Sequence, residues 1–360
     1  MSRSASRILK RGVTVAVTIA VSTLLVGCGS SSTKSTSSPS VSSGSGSGSA
    51  SLAGQTLKVG AFDNSFQALF QASGALNNLP YKIKWVVDPA FGEADGLLSA
   101  FASGAIQVAT NGSLPVSTAI YGKFAFKILS AVEAIPDPAV NGGGLITPSS
   151  SDIHTLADLR GKTVAVARNS GSQYYLDYYL REAGVPLSSV NFKFVDPQDA
   201  VAAFAGGSLD AWMTYGSYSG QFLSTGKART VIDDLGNGPG GKPTGIKPPN
   251  FYYYWFAPTS ALQGKSALFR DFVHRTAIFE KWAYSHQAEA TKVVAKADDL
   301  PDDVASGVAV LFHNQQLQID PATIKALQET ADACTQFGIL PGKIDVAPYF
   351  DASYNSAVAG

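Results

Sequence analysis

The sequence predicts an α/β protein built as two lobes that face each other. Three observations lead there. Between residues 56 and 215 short β-rich runs alternate with helical stretches, and a βαβα order implies mostly parallel sheets flanked by helices. The same order of strand, turn and helix begins twice, at TLKVGAF and again at KTVAVARNSGS, and each unit ends strands in small polar loops. The chain has 360 residues, of which about 300 lie beyond a low-complexity N-terminal stretch, enough to bury a large core in more than one lobe.

In chain order, residues 1–27 open on Arg3, Arg7, Lys10 and Arg11 and run into an apolar segment over 13–26. That segment is short of the roughly 20 residues a membrane span needs, and a basic start followed by a short apolar run is the pattern of an export signal. It ends in Leu25-Val26-Gly27-Cys28, which resembles the lipobox of bacterial lipoproteins. The resemblance implies cleavage before Cys28, lipidation of Cys28, and anchoring at the outer face of the cell membrane. An uncleaved anchor helix with a chance cysteine is the other reading, and both put the globular part outside the cytoplasm. Residues 28–55 are mostly Ser and Gly and bury too little to offset their own ordering entropy. They are predicted to form a disordered tether of about 30 Å reach.

Four basic residues and no acidic ones leave with residues 1–27, so a chain balanced at 27 of each sign becomes net −4. Such a surface offers no general attraction for nucleic acid or anionic lipid. Cys334 has no second globular cysteine to pair with, so no disulfide is expected.

TLKVGAF (56–62) reads as a strand ahead of helical SFQALFQASGAL, and YKIKWVVD (81–88) alternates with period two. Helical ADGLLSAFASG leads to strand-like AIQVATNG. KTVAVARNSGS (162–172) then opens the aromatic helical stretch QYYLDYYLREAG, and VNFKFVD, DAVAAFAGGS and LDAWMTYG follow as strand, helix and strand. From SALFRDFVHRTAIFEKWAYSH onward the chain reads as helices, including LPDDVASGVAVLF and DPATIKALQETADACTQFG, each with an acidic or proline-containing start.

ASGAIQVATNGSLP, IHTLADLRGKTVAVARNSGSQYYL, DPQDAVAAFAGGSLDAW and FGILPGKIDVAPYF, in that order and spacing, resemble the aliphatic sulfonate, taurine and nitrate group of periplasmic substrate-binding proteins, over nearly all of 56–348. The resemblance implies a two-lobed type II periplasmic-binding-protein fold with a ligand cleft, the chain crossing between lobes near 143–147 and again near 250–256. Lobe I is expected to comprise 56–145 and 250–360, and lobe II 146–249. The implied partners are a small-molecule ligand and an ABC permease with its ATPase; no cofactor is implied, and the chain is expected to be a monomer.

Ligands of open α/β sheets sit outside the carboxyl ends of the strands. Four places qualify. The loop after the first strand carries Asp63, Asn64, Ser65, Phe66 and Gln67. A second turn carries Thr110, Asn111, Gly112 and Ser113. A third, Asn169 with Ser170, Gly171, Ser172 and Gln173, precedes a helix and is a candidate anion site. Trp212, where the family also places a tryptophan, and Tyr215 end a strand, and the crossover NFYYYWF offers Asn250, Phe251 and Tyr253. Ser, Asn and Gly after strands also serve as helix caps, Tyr175 and Tyr179 share one helical face, and half of the crossover must face a core.

Family members often read TGDTP where this chain has NGSLP, and W-D-P where it has Tyr215, Gly216 and Ser217. With those acids missing, a cleft of hydroxyls, amides and rings suits a sulfonate-like anion, or a neutral heteroaromatic or pyrimidine-like compound. Arg168 adds positive charge there, or is a solvated strand-end residue. Desulfinases of this fold use a cysteine after the first strand; this chain has none there, so no catalysis is expected. GNGPGGKP (236–243) has Pro243 where a phosphate loop needs Ser or Thr, and His154, His274, His286 and His313 lack metal-ligand spacing. A sensor or scaffold role on the same fold stays open.

Overall fold

Strand pairing divides the chain into two halves. A computed structural model describes residues 52–135, 143–250, 252–301, 305, 312 and 314–358, all within the unit Ser49–Gly360. The signal segment, Cys28, nearly all of the tether, Phe251 and most of LPDDVASGVAVLF lie outside the described residues.

In the first half, β1 (Thr56–Ala61) pairs in parallel with β2 (Lys82–Val87). The bridge Val59 to Val108 leads on to β3 (Ala109–Gly112). There the chain's return strand, β10 (Tyr252–Pro258), lies between β3 and β4 (Phe126–Ala134), antiparallel to both, and β11 (Asn314–Leu317) closes the far edge against β4. In the second half the order is β7 (Asn191–Phe194), β6 (Thr163–Val166), β8 (Ala211–Tyr215), β5 (Gly143–Pro148) and β9 (Ala228–Asp233). Strands β7, β6 and β8 run parallel, whereas β5 is antiparallel to β8 and β9. The α/β class and the two-lobed fold stand, but the mostly parallel sheets expected from the βαβα order are mixed. The reason is long-range: both crossing segments enter their sheets against the local strand direction.

Local chemistry explains the motifs that carried the resemblance. In HTLADL the Asp158 carboxylate accepts from the backbone N–H of Thr155 at 2.8 Å and of His154 at 3.0 Å, and from the Thr155 hydroxyl at 2.9 Å. This caps a 3-10 turn just before β6. Gly161, at φ +77°, makes the turn into that strand. Asp210 of the D-A-W motif accepts from the Thr163 N–H at 2.7 Å, and its carbonyl accepts from the Thr147 hydroxyl at 2.7 Å, so one residue fastens β6 and β5 beside β8. These residues build scaffold.

The helices are α1 (Ser65–Ala72), α2 (Ala94–Ala102), α3 (Ser113–Tyr121), α4 (Gly171–Glu182), α5 (Pro197–Ala205), α6 (Gly216–Leu223), α7 (Thr259–Leu262), α8 (Ser266–Ser285), α9 (Gln287–Ala297) and α10 (Pro321–Gln336). Helix α10 starts on a reciprocal cap: the Asp320 carboxylate accepts from the Thr323 N–H at 2.8 Å, the Thr323 hydroxyl accepts from the Asp320 N–H at 2.9 Å, and Pro321 occupies the first turn. Packing of α1, α8 and α9 on β1 and β10 forms an aromatic core around Phe66, Phe70, Trp255, Phe272 and Phe279. Burial of several such rings, each worth about 1.5 to 3 kcal/mol before the entropy of ordering, holds this half together.

Candidate functional site

The strand ends expected to carry ligand do meet where the two halves touch, but many of their polar groups are already engaged. After β1, Asp63 accepts from the Ser65 N–H at 3.1 Å. Asp298, beyond the end of α9, accepts from the Asn64 N–H at 3.2 Å and from the Ser65 hydroxyl. Ser65 is 0% exposed, and Phe66 is a core ring set edge-on to Phe62 and Phe312. Gln67 faces solvent on α1. Ser65 and Phe66 therefore correct the expectation of an open, ligand-facing loop: a carboxylate far along the chain takes the donors.

At β3, the Asn111 amide donates to the Phe91 carbonyl at 2.7 Å and its oxygen accepts from the Gly112 N–H at 2.8 Å. The Ser113 hydroxyl donates to the Tyr252 carbonyl at 3.3 Å. Thr110 differs, because its buried hydroxyl has no hydrogen-bond partner among the described residues.

At α4, the Ser170 hydroxyl donates to the Ala167 carbonyl at 2.7 Å and accepts from the Gln173 N–H at 3.2 Å, while the Gln173 side chain accepts from the Asn169 N–H at 2.8 Å. The residue in the left-handed region is Asn169, at φ 54°, and Gly171 starts the helix. Gly171 and Ser172 are half-buried, and as first-turn residues their N–H groups have no intrahelical acceptor. Arg168 stacks its guanidinium 3.8 Å over the Phe194 ring.

Trp212 is a correction. It is 1% exposed and packs among Phe204, Tyr218 and Phe222 in the core of the second half, because period-two alternation turns it away from the side of Tyr215. Tyr215 is half-buried, with its hydroxyl 3.3 Å from where a side chain on Gly92 would begin, so it touches the first half directly. Asn250 is exposed, Tyr253 is half-buried on β10, and Phe251 is outside the described residues.

Carboxyls gather here, and two of them, Glu93 and Asp234, were missed by sequence reasoning. Burial, then the neighbouring Asp196 and Asp95, push Glu93 up to about 7. Burial and Asp298 push Asp63 up to about 7, and burial and Asp233 do the same for Asp234. Burial also raises Tyr175, Tyr215, Tyr218 and Tyr253. The largest cause is burial in each case, with neighbouring carboxyls and phenols adding to it for several of them. Glu93 sits just before α2, where its sequence context reads as an ordinary acidic cap. Among the described residues no three His, Cys, Asp or Glu side chains are grouped to hold a metal ion. Cys334 is 0% exposed, and burial pushes its thiol up to about 12, so it offers no thiolate nucleophile.

Two lobes, each a sheet flanked by helices, meeting at polar strand ends define a protein of the periplasmic-binding-protein fold. A family model described as ABC transporter, phosphonate, periplasmic substrate-binding protein matches residues 83–231. A relative from Escherichia coli K12 named for aliphatic sulfonate binding is 27% identical over 298 residues, 81% of this chain and 87% of that one. The structure of an alkanesulfonate-binding protein from Xanthomonas axonopodis, bound to MOPS, superposes with a TM-score of 0.70 at 22% identity, over 83% of this chain and 99% of that one. The structure of a desulfurization enzyme shares the fold with a TM-score of 0.60 at 13% identity, over 85% of this chain and 99% of that one. Over most of its length the chain is similar to periplasmic substrate-binding proteins of ABC transporters, and the solved structures show that it shares their fold.

Proposed function

We propose that this chain is an extracytoplasmic lipoprotein that captures a small sulfonate-like organic anion between its lobes and hands it to an ABC permease driven by its ATPase. The observation carrying this reading is the first turn of α4, where Gly171 and Ser172 present N–H groups without intrahelical acceptors. It is supported by relatives named for sulfonate binding. In this reading residues 1–27 are removed, lipidated Cys28 anchors a tether over 28–55, lobe I spans 56–145 and 250–360, lobe II spans 146–249, and the protein acts as a monomer. Ligand settles on one lobe and the second lobe closes over it. Closure is driven only by the ligand's greater affinity for the closed state.

A second reading, a neutral heteroaromatic or pyrimidine-like ligand, is favoured by one observation: the lobe junction is lined by tyrosines and by carboxyls that burial raises toward neutrality. A thermal-shift screen of sulfonates, sulfate esters, nitrate and heteroaromatic compounds decides between them. A ligand at 100 times its Kd adds about 2.7 kcal/mol of stability. Stabilisation by sulfonates is expected; stabilisation by neutral heteroaromatics alone would overturn the anion reading.

A further inference from the structure

Between the ends of β1 and β3 and helix α8 lies a small cavity of about 10 Å³ lined by Phe62, Phe66, Thr110, Tyr253, Glu280, Phe312 and Asn314. We propose that this cavity is a subsite for a primary amino group of the ligand, held by the Glu280 carboxylate and the Thr110 hydroxyl among the surrounding rings. The inference rests on the reading of the chain as a solute receptor, and it adds a part of the ligand that the anion reading leaves undefined.

Two independent observations meet at this cavity. The first is the Thr110 hydroxyl: the residue is 9% exposed, its oxygen has no hydrogen-bond partner among the described residues, and the residue forms part of the cavity wall. An unsatisfied buried hydroxyl destabilises the fold, a cost removed when an occupant supplies the missing bond. The second is Glu280, 4% exposed on α8, whose carboxyl accepts from the Asn314 side-chain amide at the long distance of 3.4 Å and has the Trp255 indole N–H as a second neighbouring donor. A carboxylate has about four acceptor sites, so acceptor capacity is left over, and a buried carboxyl is costly unless a donor or a cation meets it.

The size and walls narrow the occupant. A cavity of this volume holds one water-sized group, which an ammonium matches and a trimethylammonium exceeds. Ring centroids of Phe62 and Phe66 lie 5.0 Å apart, and those of Phe66 and Phe312 lie 4.9 Å apart, both edge to face, so aromatic surface surrounds the position. Aromatic faces attract a cation and give an anion nothing. Among the described residues no lysine or arginine lines the cavity, so its carboxyl has no basic side chain beside it. Burial raises Glu280 to about 8, and a bound ammonium would restore the charged form. Tyr253 lines the cavity and also lies within electrostatic reach of Asp234 and Tyr215 at the lobe junction, which puts the subsite next to the cleft.

The test uses the full mature chain and three probes: aminopropanesulfonate, propanesulfonate and propylamine, by calorimetry at pH 7 with circular dichroism as the folding check. The amino sulfonate should bind at least about tenfold more tightly than its amine-free partner. Glu280→Gln, which keeps the shape, should shrink that preference to less than about threefold while leaving propanesulfonate binding nearly unchanged, and Thr110→Val should shrink the preference likewise. If the two sulfonates bind alike, or if folded Glu280→Gln keeps the preference, the subsite is wrong and the anion reading stands. If neither sulfonate binds but propylamine does, and Glu280→Gln abolishes it, the subsite stands and the anion reading falls. If none of the three binds, the subsite falls for these ligands together with the anion reading.

Discussion

Glu93, just before α2, and Asp196, capping α5, meet carboxyl to carboxyl where the two lobes touch, and the Glu93 side chain hydrogen-bonds to Asp196. Two carboxyls can share a hydrogen bond only if one of them carries a proton. Burial and this neighbour lift Glu93 from 4.5 to about 7, with Asp95 and the Tyr215 phenol nearby. The folded state therefore binds a proton that the unfolded chain releases between these two values. By linkage, the contribution is fully present below about 4.5 and is lost as pH rises through about 7.

The expected outcome is a wild-type melting temperature that falls between pH 5.5 and 8, with Asp63 and Asp234 shifted in the same direction. Glu93→Gln imitates the protonated form and should reduce that fall by about 2 °C or more. An unchanged pH profile in the variant would show that the pair does not couple folding to protons.

Gly171→Val tests the anion site. Because Asn169, not Gly171, holds the left-handed conformation, the valine adds bulk without backbone strain of that kind. Sulfonate affinity should drop at least about tenfold. Ser189→Ala, in an exposed turn where the hydroxyl donates to the Pro186 carbonyl at 2.6 Å, should leave affinity alone. Full affinity in folded Gly171→Val would move the site to another strand end.

Trp212→Ala should damage stability and spare recognition. Its ring lies between 5.9 and 6.3 Å from those of Phe204, Tyr218 and Phe222, and removing it leaves a core cavity costing about 3 to 5 kcal/mol. Chemical denaturation reads the loss, and calorimetry on the folded fraction should give a Kd within about threefold of wild type. A stable variant with weakened binding would return Trp212 to the cleft wall.

Cys28→Ala should release the protein from membranes or stall its processing, read by fractionation and gel mobility. A variant that fractionates and migrates like wild type would refute lipidation at Cys28, whose motive is the apolar run ending in Leu25-Val26-Gly27.

What the sequence by itself determined about this protein is whatever depends on neighbours a few residues apart. The period-two run that becomes β2, the aromatic helix α4 with its Ser170 cap, and the Asp320 cap of α10 are all legible because hydrophobic alternation and capping chemistry act within one or two turns. The motif around Thr155 and Asp158 is legible for the same reason, although its task proved to be holding scaffold. Only the tertiary structure decided which polar groups remain available for a ligand. Asn64 and Ser65 look free in the sequence, yet their donors go to Asp298, 234 and 233 positions further along the chain. The insertion of β10 between β3 and β4 likewise depends on the path of the whole chain. Glu280 is intermediate: it falls four residues after buried Thr276 on the core-facing side of α8, a carboxylate at an apolar phase, but the Thr110 hydroxyl it faces across the cavity is known only once the sheet is assembled. Hydrogen-bond capacity is written residue by residue, whereas its satisfaction is a property of the folded chain.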